Sequence, residues 1–157
     1  MEKEKWMKEA LKEAKKAFEI DEVPVGCVIV QDGKIIARGH NLREKTNDPT
    51  AHAEIVAIRK ATKKLSSWRL ENCDVYVTIE PCSMCAGALL WCRVRSIIYG
   101  AKEPKGGALG SSYHLFEQPN LNHHPLIIGG VLEQEAAQLM TDFFKRKRNR
   151  VEMHIKG

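Results

Sequence analysis

The chain has 157 residues, a net charge of +5 and 43% apolar residues, enough for a single domain over 1–157 with a real core. No run approaches the roughly 18 consecutive apolar residues that a membrane span needs, so no membrane partner is expected. Five cysteines at scattered spacings argue against a disulfide framework and for a reducing, cytoplasmic compartment.

The first segment, "MEKEKWMKEALKEAKKAF", alternates charges and has no apolar stretch typical of a secretory signal. Met7, Leu11, Ala14 and Phe18 recur at three- and four-residue steps, which predicts an amphipathic helix over 3–19. "DEVPVG" ends it. "VGCVIV" and "KIIARG" read as strands, and the Asp-Gly of "QDGK" between them is a strong hairpin signal. "HNLREKTNDPT" reads as a polar loop leading to a helix from about Ala51 to Lys64. "DVYVTIE" is β-branched and apolar, a buried strand; "CSMCAGALLWC" follows as a helix and "SIIYGA" as the next strand. That order predicts a βαβ unit with parallel strands. Residues 102–125 are loop-rich, with room for one helical turn, and long enough to suspect a functional loop. "LIIGGVL" reads as a last strand, and a basic helix runs from Glu133 to about Arg150. The expected fold is therefore α/β, a three-layer α/β/α sandwich around a mixed five-stranded sheet.

Charge is unevenly placed. Between Thr141 and Gly157 six Lys or Arg stand against two acidic residues, most of them in "FFKRKRNR". A clustered basic patch is the electrostatic footprint of a polyanion, although cations also favour a helix C-terminus without any partner.

The chemistry concentrates in two short runs. In "TIEPCSMCAGALL" Cys82 and Cys85 sit three apart where a strand hands over to a helix, and helix residues three apart share a face. The positive end of a helix favours thiolate over thiol. In "DPTAHAE" His52 and Glu54 are two apart. Successive helical residues turn by about 100°, so the two converge only if His52 stands at the helix tip. Pro49 and Thr50, the latter a preferred cap, place the tip there. His52, Cys82 and Cys85 then make three metal ligands, and zinc with three protein ligands keeps an open position for water. Glu54 is left as a base beside it. A thioredoxin-type pair and a closed structural zinc knot are the alternatives. Neither accounts for His-x-Glu at a second helix start, and a knot needs a fourth ligand from Cys27, Cys73, Cys92, His40, His114, His123, His124 or His154. Cys27, Cys73 and Cys92 read as core or surface thiols.

His-x-Glu followed by Pro-Cys-x-x-Cys is the established signature of the zinc-dependent nucleobase deaminases. The runs "EVPVG", "DPTAHAE", "VYVTIEPC", "MCAGA", "PKGGALGS", "NH" at 122–123 and "DFFKR" make nearly the whole chain resemble one branch of that superfamily, the bacterial tRNA-specific adenosine deaminases. The resemblance implies a cytidine deaminase-like fold and hydrolytic conversion of a wobble adenosine to inosine by zinc-activated water. It implies one Zn2+ per subunit on His52, Cys82 and Cys85, with Glu54 moving protons. It implies Asn41 and Val23 at the target nucleotide and Phe144 on a C-terminal helix that meets the RNA loop. It also implies a homodimer and an anticodon stem-loop as partner, with no DNA expected. His124 stands where many relatives carry Arg. Two rival functions share the motif: a small-molecule deaminase of cytosine, cytidine or guanine, and a non-enzymatic zinc-stabilised RNA-binding module.

Overall fold

A computed structural model describes residues 2–156; Met1 and Gly157, the two ends of the expected domain, lie outside the described residues. The chain begins with helix α1 (Glu2–Glu19), whose buried stripe includes Trp6, Met7, Ala10, Leu11 and Ala14. The hairpin β1 (Gly26–Gln31) and β2 (Lys34–His40) follows, antiparallel as expected. Its turn places Asp32 and Gly33 at φ of 51° and 71°, the left-handed region that an Asp-Gly pair tolerates. Next come α2 (Arg43–Thr46) and α3 (Ala53–Leu65), then β3 (Cys73–Ile79), α4 (Ser83–Trp91) and β4 (Ser96–Ala101). A single 3-10 turn at Leu115–Glu117 interrupts the long loop before β5 (Leu126–Ile128) and α5 (Glu133–Lys156).

The five strands lie in the order β2-β1-β3-β4-β5. β1 is antiparallel to both of its neighbours, whereas β3-β4 and β4-β5 are parallel, so the sheet is mixed. Strand side chains alternate between faces. Cys27 and Ile29 of β1, Val75 and Val77 of β3 and Ile97 of β4 join Ala53, Ala57, Ala61, Ala86 and Leu89 of α3 and α4 in one core. Val28, Val30, Tyr76 and Ile98 point the other way, to Trp6, Met7 and Ala10 of α1. Ile79 and Ala101 meet Leu11 and Ala136, which brings α5 to the same face as α1. The expected three layers are thus observed.

Four local readings need correction. The "REKT" segment read as loop forms α2, because a carboxylate from outside the segment caps it. Glu22 accepts the N–H groups of Glu44 and Lys45 at 3.1 and 2.8 Å. The cap of α3 is His52 itself, not Thr50, and the cap of α4 is Cys82. β5 stops at Ile128, before Gly129 and Gly130, where Gly130 has a φ of 86°. α5 runs on to Lys156 because nothing after Arg150 breaks a helix.

All five cysteines are free, and Cys27, Cys73 and Cys92 are buried core thiols. Among the described residues no helix is long and apolar enough to cross a membrane.

Candidate metal centre and substrate cavity

Two helix tips meet at the C-terminal edge of the sheet. α3 packs on β2 with no side chain between the backbones: a Cβ on Gly39 would fall 2.6 Å from the Ala53 carbonyl oxygen. This contact fixes where α3 starts, and hence where His52 stands. His52 is in extended conformation with φ −70° and ψ 157°, and Cys82 at the start of α4 is likewise extended with φ −74° and ψ 176°. Neither side chain caps its own helix. They face each other across the gap instead. His52 Nδ1 lies 3.7 Å from Cys82 Sγ and 3.5 Å from Cys85 Sγ, and the three donor atoms all fall within 4.8 Å of one another. The sequence placed these three together, and the geometry does so.

These distances suit zinc. Sulfur at ~2.3 Å and nitrogen at ~2.0 Å from a tetrahedral ion stand about 3.5 Å apart. The donor set also has the right chemistry, one imidazole and two thiols. Among the described residues no fourth His, Cys, Asp or Glu completes the group. A hydrogen bond from the Cys85 thiol and the nearby His52 pull Cys82 down to about 3, against the opposing effect of burial. That same hydrogen bond and burial raise Cys85 far above an ordinary thiol, and the Cys82 thiolate raises His52. The group thus shares protons that a bound metal would displace.

Glu54, the second residue of α3, is 3% exposed, and burial pushes its carboxyl up to about 7. It lines a cavity of about 150 Å3 together with Val23, Asn41, Arg43, His52, Glu80 and Cys82. Asn41 is buried, and its Oδ1 accepts the Arg43 N–H at 3.4 Å. The cavity adjoins a groove of about 1040 Å3, and Val23, Arg43, Ile79, Glu103 and Met140 line both spaces. Phe144, 42% exposed, lines the groove but not the cavity, while its neighbour Phe143 is fully buried. Cations rim the groove: Arg43, Lys102, Lys105, Lys147 and Arg148. The structure therefore gathers Val23, Asn41, His52, Glu54 and Cys82 in one cavity, and sets Phe144 outside it.

Sequence reading overlooked Glu22, Arg43, Glu80 and Glu103. For Glu22 and Glu80 the available signal was an acidic residue at the end of an apolar run, "DEVPVG" and "TIEPC". His124 lies away from both spaces, exposed, with its Nε2 at 3.1 Å from the Gln118 carbonyl oxygen. His123 is the more buried of the pair, with Nε2 2.6 Å from the Val94 carbonyl oxygen.

Known proteins resemble this chain in sequence and fold. The MafB19-like deaminase family matches residues 1–148. The tRNA-specific adenosine deaminase of Bacillus subtilis is 48% identical over 147 residues, covering 94% of this chain and 91% of that protein. That of Agrobacterium fabrum is 48% identical over 143 residues, covering 91% and 94%. A structure solved in a study of A-to-I editing by tRNA:A34 deaminases at the wobble position of transfer RNA superposes with a TM-score of 0.82 at 49% identity, over 85% of this chain and 96% of that one. A guanine deaminase from Bacillus subtilis superposes with a TM-score of 0.62 at 34% identity, over 93% of each chain. Sequence and architecture together make this chain a deaminase of the cytidine deaminase-like fold, and a member of the tRNA-specific adenosine deaminase family.

Proposed function

We propose that the protein hydrolyses the 6-amino group of the adenosine at the wobble position of a tRNA anticodon, giving inosine and ammonia. One observation carries this reading: the cavity lined by His52, Glu54 and Cys82 shares a wall with a cation-rimmed groove that bears Phe144. A single extruded base fits the first, and the phosphates of its neighbours suit the second. An anticodon loop already presents its bases partly unstacked.

His52, Cys82 and Cys85 would hold one zinc ion per subunit. Zinc so bound supplies a water acidic enough to ionise near neutral pH. Glu54, buried and with its carboxyl near neutrality, takes a proton from the attacking water and delivers it to N1 of the purine. It then passes the second proton to the departing amine at C6, so that ammonia leaves and the enzyme is restored. Asn41 and Val23, which line the same cavity, orient the nucleotide, and Phe144 offers a face on which a neighbouring base stacks.

The same reading treats 1–157 as one catalytic domain acting in the cytoplasm, the compartment of its tRNA substrate. It also includes a homodimer. α4 turns Met84 and Trp91 outward, Trp91 68% exposed, and a second copy would cover that apolar face.

The likeness to guanine deaminase favours one rival, a deaminase of free bases. Ammonia release separates the two. With an anticodon hairpin, free adenosine and guanine offered in turn, the hairpin should be turned over fastest by orders of magnitude. A preference for guanine would establish the rival, and no ammonia from any substrate would leave an RNA-binding module.

A further inference from the structure

Four hydrogen-bond donors converge on one buried carboxylate beside the cavity, and none belongs to the metal group. Glu80, 3% exposed, follows β3 and precedes Pro81 and Cys82. Its Oε1 accepts the Glu103 N–H at 3.2 Å and the Ser111 hydroxyl. Its Oε2 accepts the N–H groups of Leu109 and Ser111 at 2.9 and 3.2 Å. The loop lies so close that a Cβ on Gly107 would fall 2.6 Å from both Glu80 Oε1 and the Glu103 carbonyl oxygen. The same loop pairs with the ligand-bearing turn: Ala108 N–H donates to the Pro81 carbonyl at 2.8 Å, and Cys82 bridges Gly107. Its first residues, Lys102, Glu103, Pro104 and Lys105, line the groove, and Glu103 also lines the cavity.

We propose that Glu80 is a positioning residue: from the strand end that delivers Cys82, it fastens the 103–111 loop and so fixes the wall against which the target nucleotide is held. This rests on the reading of the cavity as the nucleotide pocket. Glu80 is not a second acid or base. An ionised carboxylate has about four acceptor sites, and four donors occupy them. With its acceptor sites turned to the loop, Glu80 has none left for a reacting proton.

The test uses the zinc-loaded full chain and two variants. Glu80→Gln keeps the shape but turns an amide nitrogen toward two of the donors. Ser111→Ala removes one donor from an exposed residue and leaves the carboxylate intact. For Glu80→Gln, amide exchange at Glu103, Leu109 and Ser111 should accelerate about tenfold and KM for an anticodon hairpin should rise about tenfold, the loss expected for charge-assisted bonds. Exchange in β3 and β4, zinc content and kcat should hold. Ser111→Ala should move the same quantities in the same direction, by about threefold. A fall in kcat with KM and loop exchange unchanged would overturn the proposal and make Glu80 a reacting group. Should Glu80→Gln fail to fold or lose zinc, Ser111→Ala decides: faster loop exchange with raised KM supports the proposal, and wild-type values for both reject it. Failure of the wobble-editing reading looks different. It shows as a wild-type protein inactive on the hairpin, while exchange still reports whether Glu80 fastens the loop.

Discussion

The groove makes a quantitative prediction about salt. Five cations rim it, and two of them, Lys147 and Arg148, lie on successive residues of α5. Substitution of both by Gln keeps part of each aliphatic stem and a polar end while removing the charge. Each cation that neutralises one phosphate of a single-stranded loop adds about 0.7 to the dependence of log affinity on log salt. Five contacts give a slope of about −3.5, and the double variant about −2.1. Between 50 and 200 mM salt, hairpin affinity should then fall about 100-fold for the wild type but only about 20-fold for the variant. The assay is titration of a labelled anticodon hairpin at several salt concentrations, with ammonia release from free adenosine as a control. The variant should leave turnover of free adenosine unchanged, because neither residue lines the cavity. Identical slopes for the two proteins would refute the assignment of the groove to RNA. An equal loss on hairpin and free adenosine would show that the helix had been damaged instead.

Glu54→Gln should retain metal and lose turnover by about 10²–10⁴, the contribution of a positioned proton carrier, as checked by metal analysis beside ammonia release. The two adjacent phenylalanines should separate cleanly. Phe143→Ala empties a fully buried site and should cost about 3–5 kcal/mol in urea unfolding. Phe144→Ala, partly exposed, should leave stability nearly intact but weaken hairpin binding by about 1–3 kcal/mol, the worth of one stacked base. Acid stability offers a check away from the site. Burial pushes the Asp74 carboxyl up, but the hydrogen bonds from Arg95 and Ser96 outweigh it and hold the group below the ordinary 3.8. A lowered folded value contributes stability that is present above the unfolded value and is lost as pH falls through the folded one. Asp74→Asn should therefore flatten the stability curve below about pH 4 and leave its slope near neutrality unchanged.

The metal-ligand candidates were legible because their spacing has few other uses. Two thiols three apart at a helix start, with His-x-Glu at another, are hard to satisfy by packing. The positions they occupy also carry a physical signature. His52 and Cys82 both stand where Ser, Thr, Asp or Asn normally cap a helix, and neither makes a cap bond. A local rule broken twice, at two tips that face each other, marks a place where stability has yielded to function. The strands were legible for a simpler reason: β1, β3 and β4 lie inside the sheet, and apolar residues dominate both of their faces.

What was not legible depends on partners far away in sequence. α2 is too short to form on its own propensity and exists because Glu22, more than 20 residues earlier, caps it. Glu80 reads as an ordinary acidic residue until the loop that donates to it is folded over it. Nothing in "DFFKR" says which phenylalanine faces inward. That follows from α5 lying against α1, where Phe143 meets the Phe18 ring edge-on at 6.1 Å and Phe144 is left to the groove. The sequence placed a functional loop over 102–125 but could not say that its first residues form one wall of the groove.

The central claim is that a proton-carrying Glu54 beside the His52–Cys82–Cys85 group converts the wobble adenosine of an anticodon. Its most direct test is to incubate the zinc-loaded protein with a transcribed anticodon hairpin and sequence the product, scoring adenosine read as guanosine. Conversion confined to the wobble position, and abolished by removal of the metal, is the predicted result. A fully metal-loaded protein that leaves that adenosine unchanged would contradict the account.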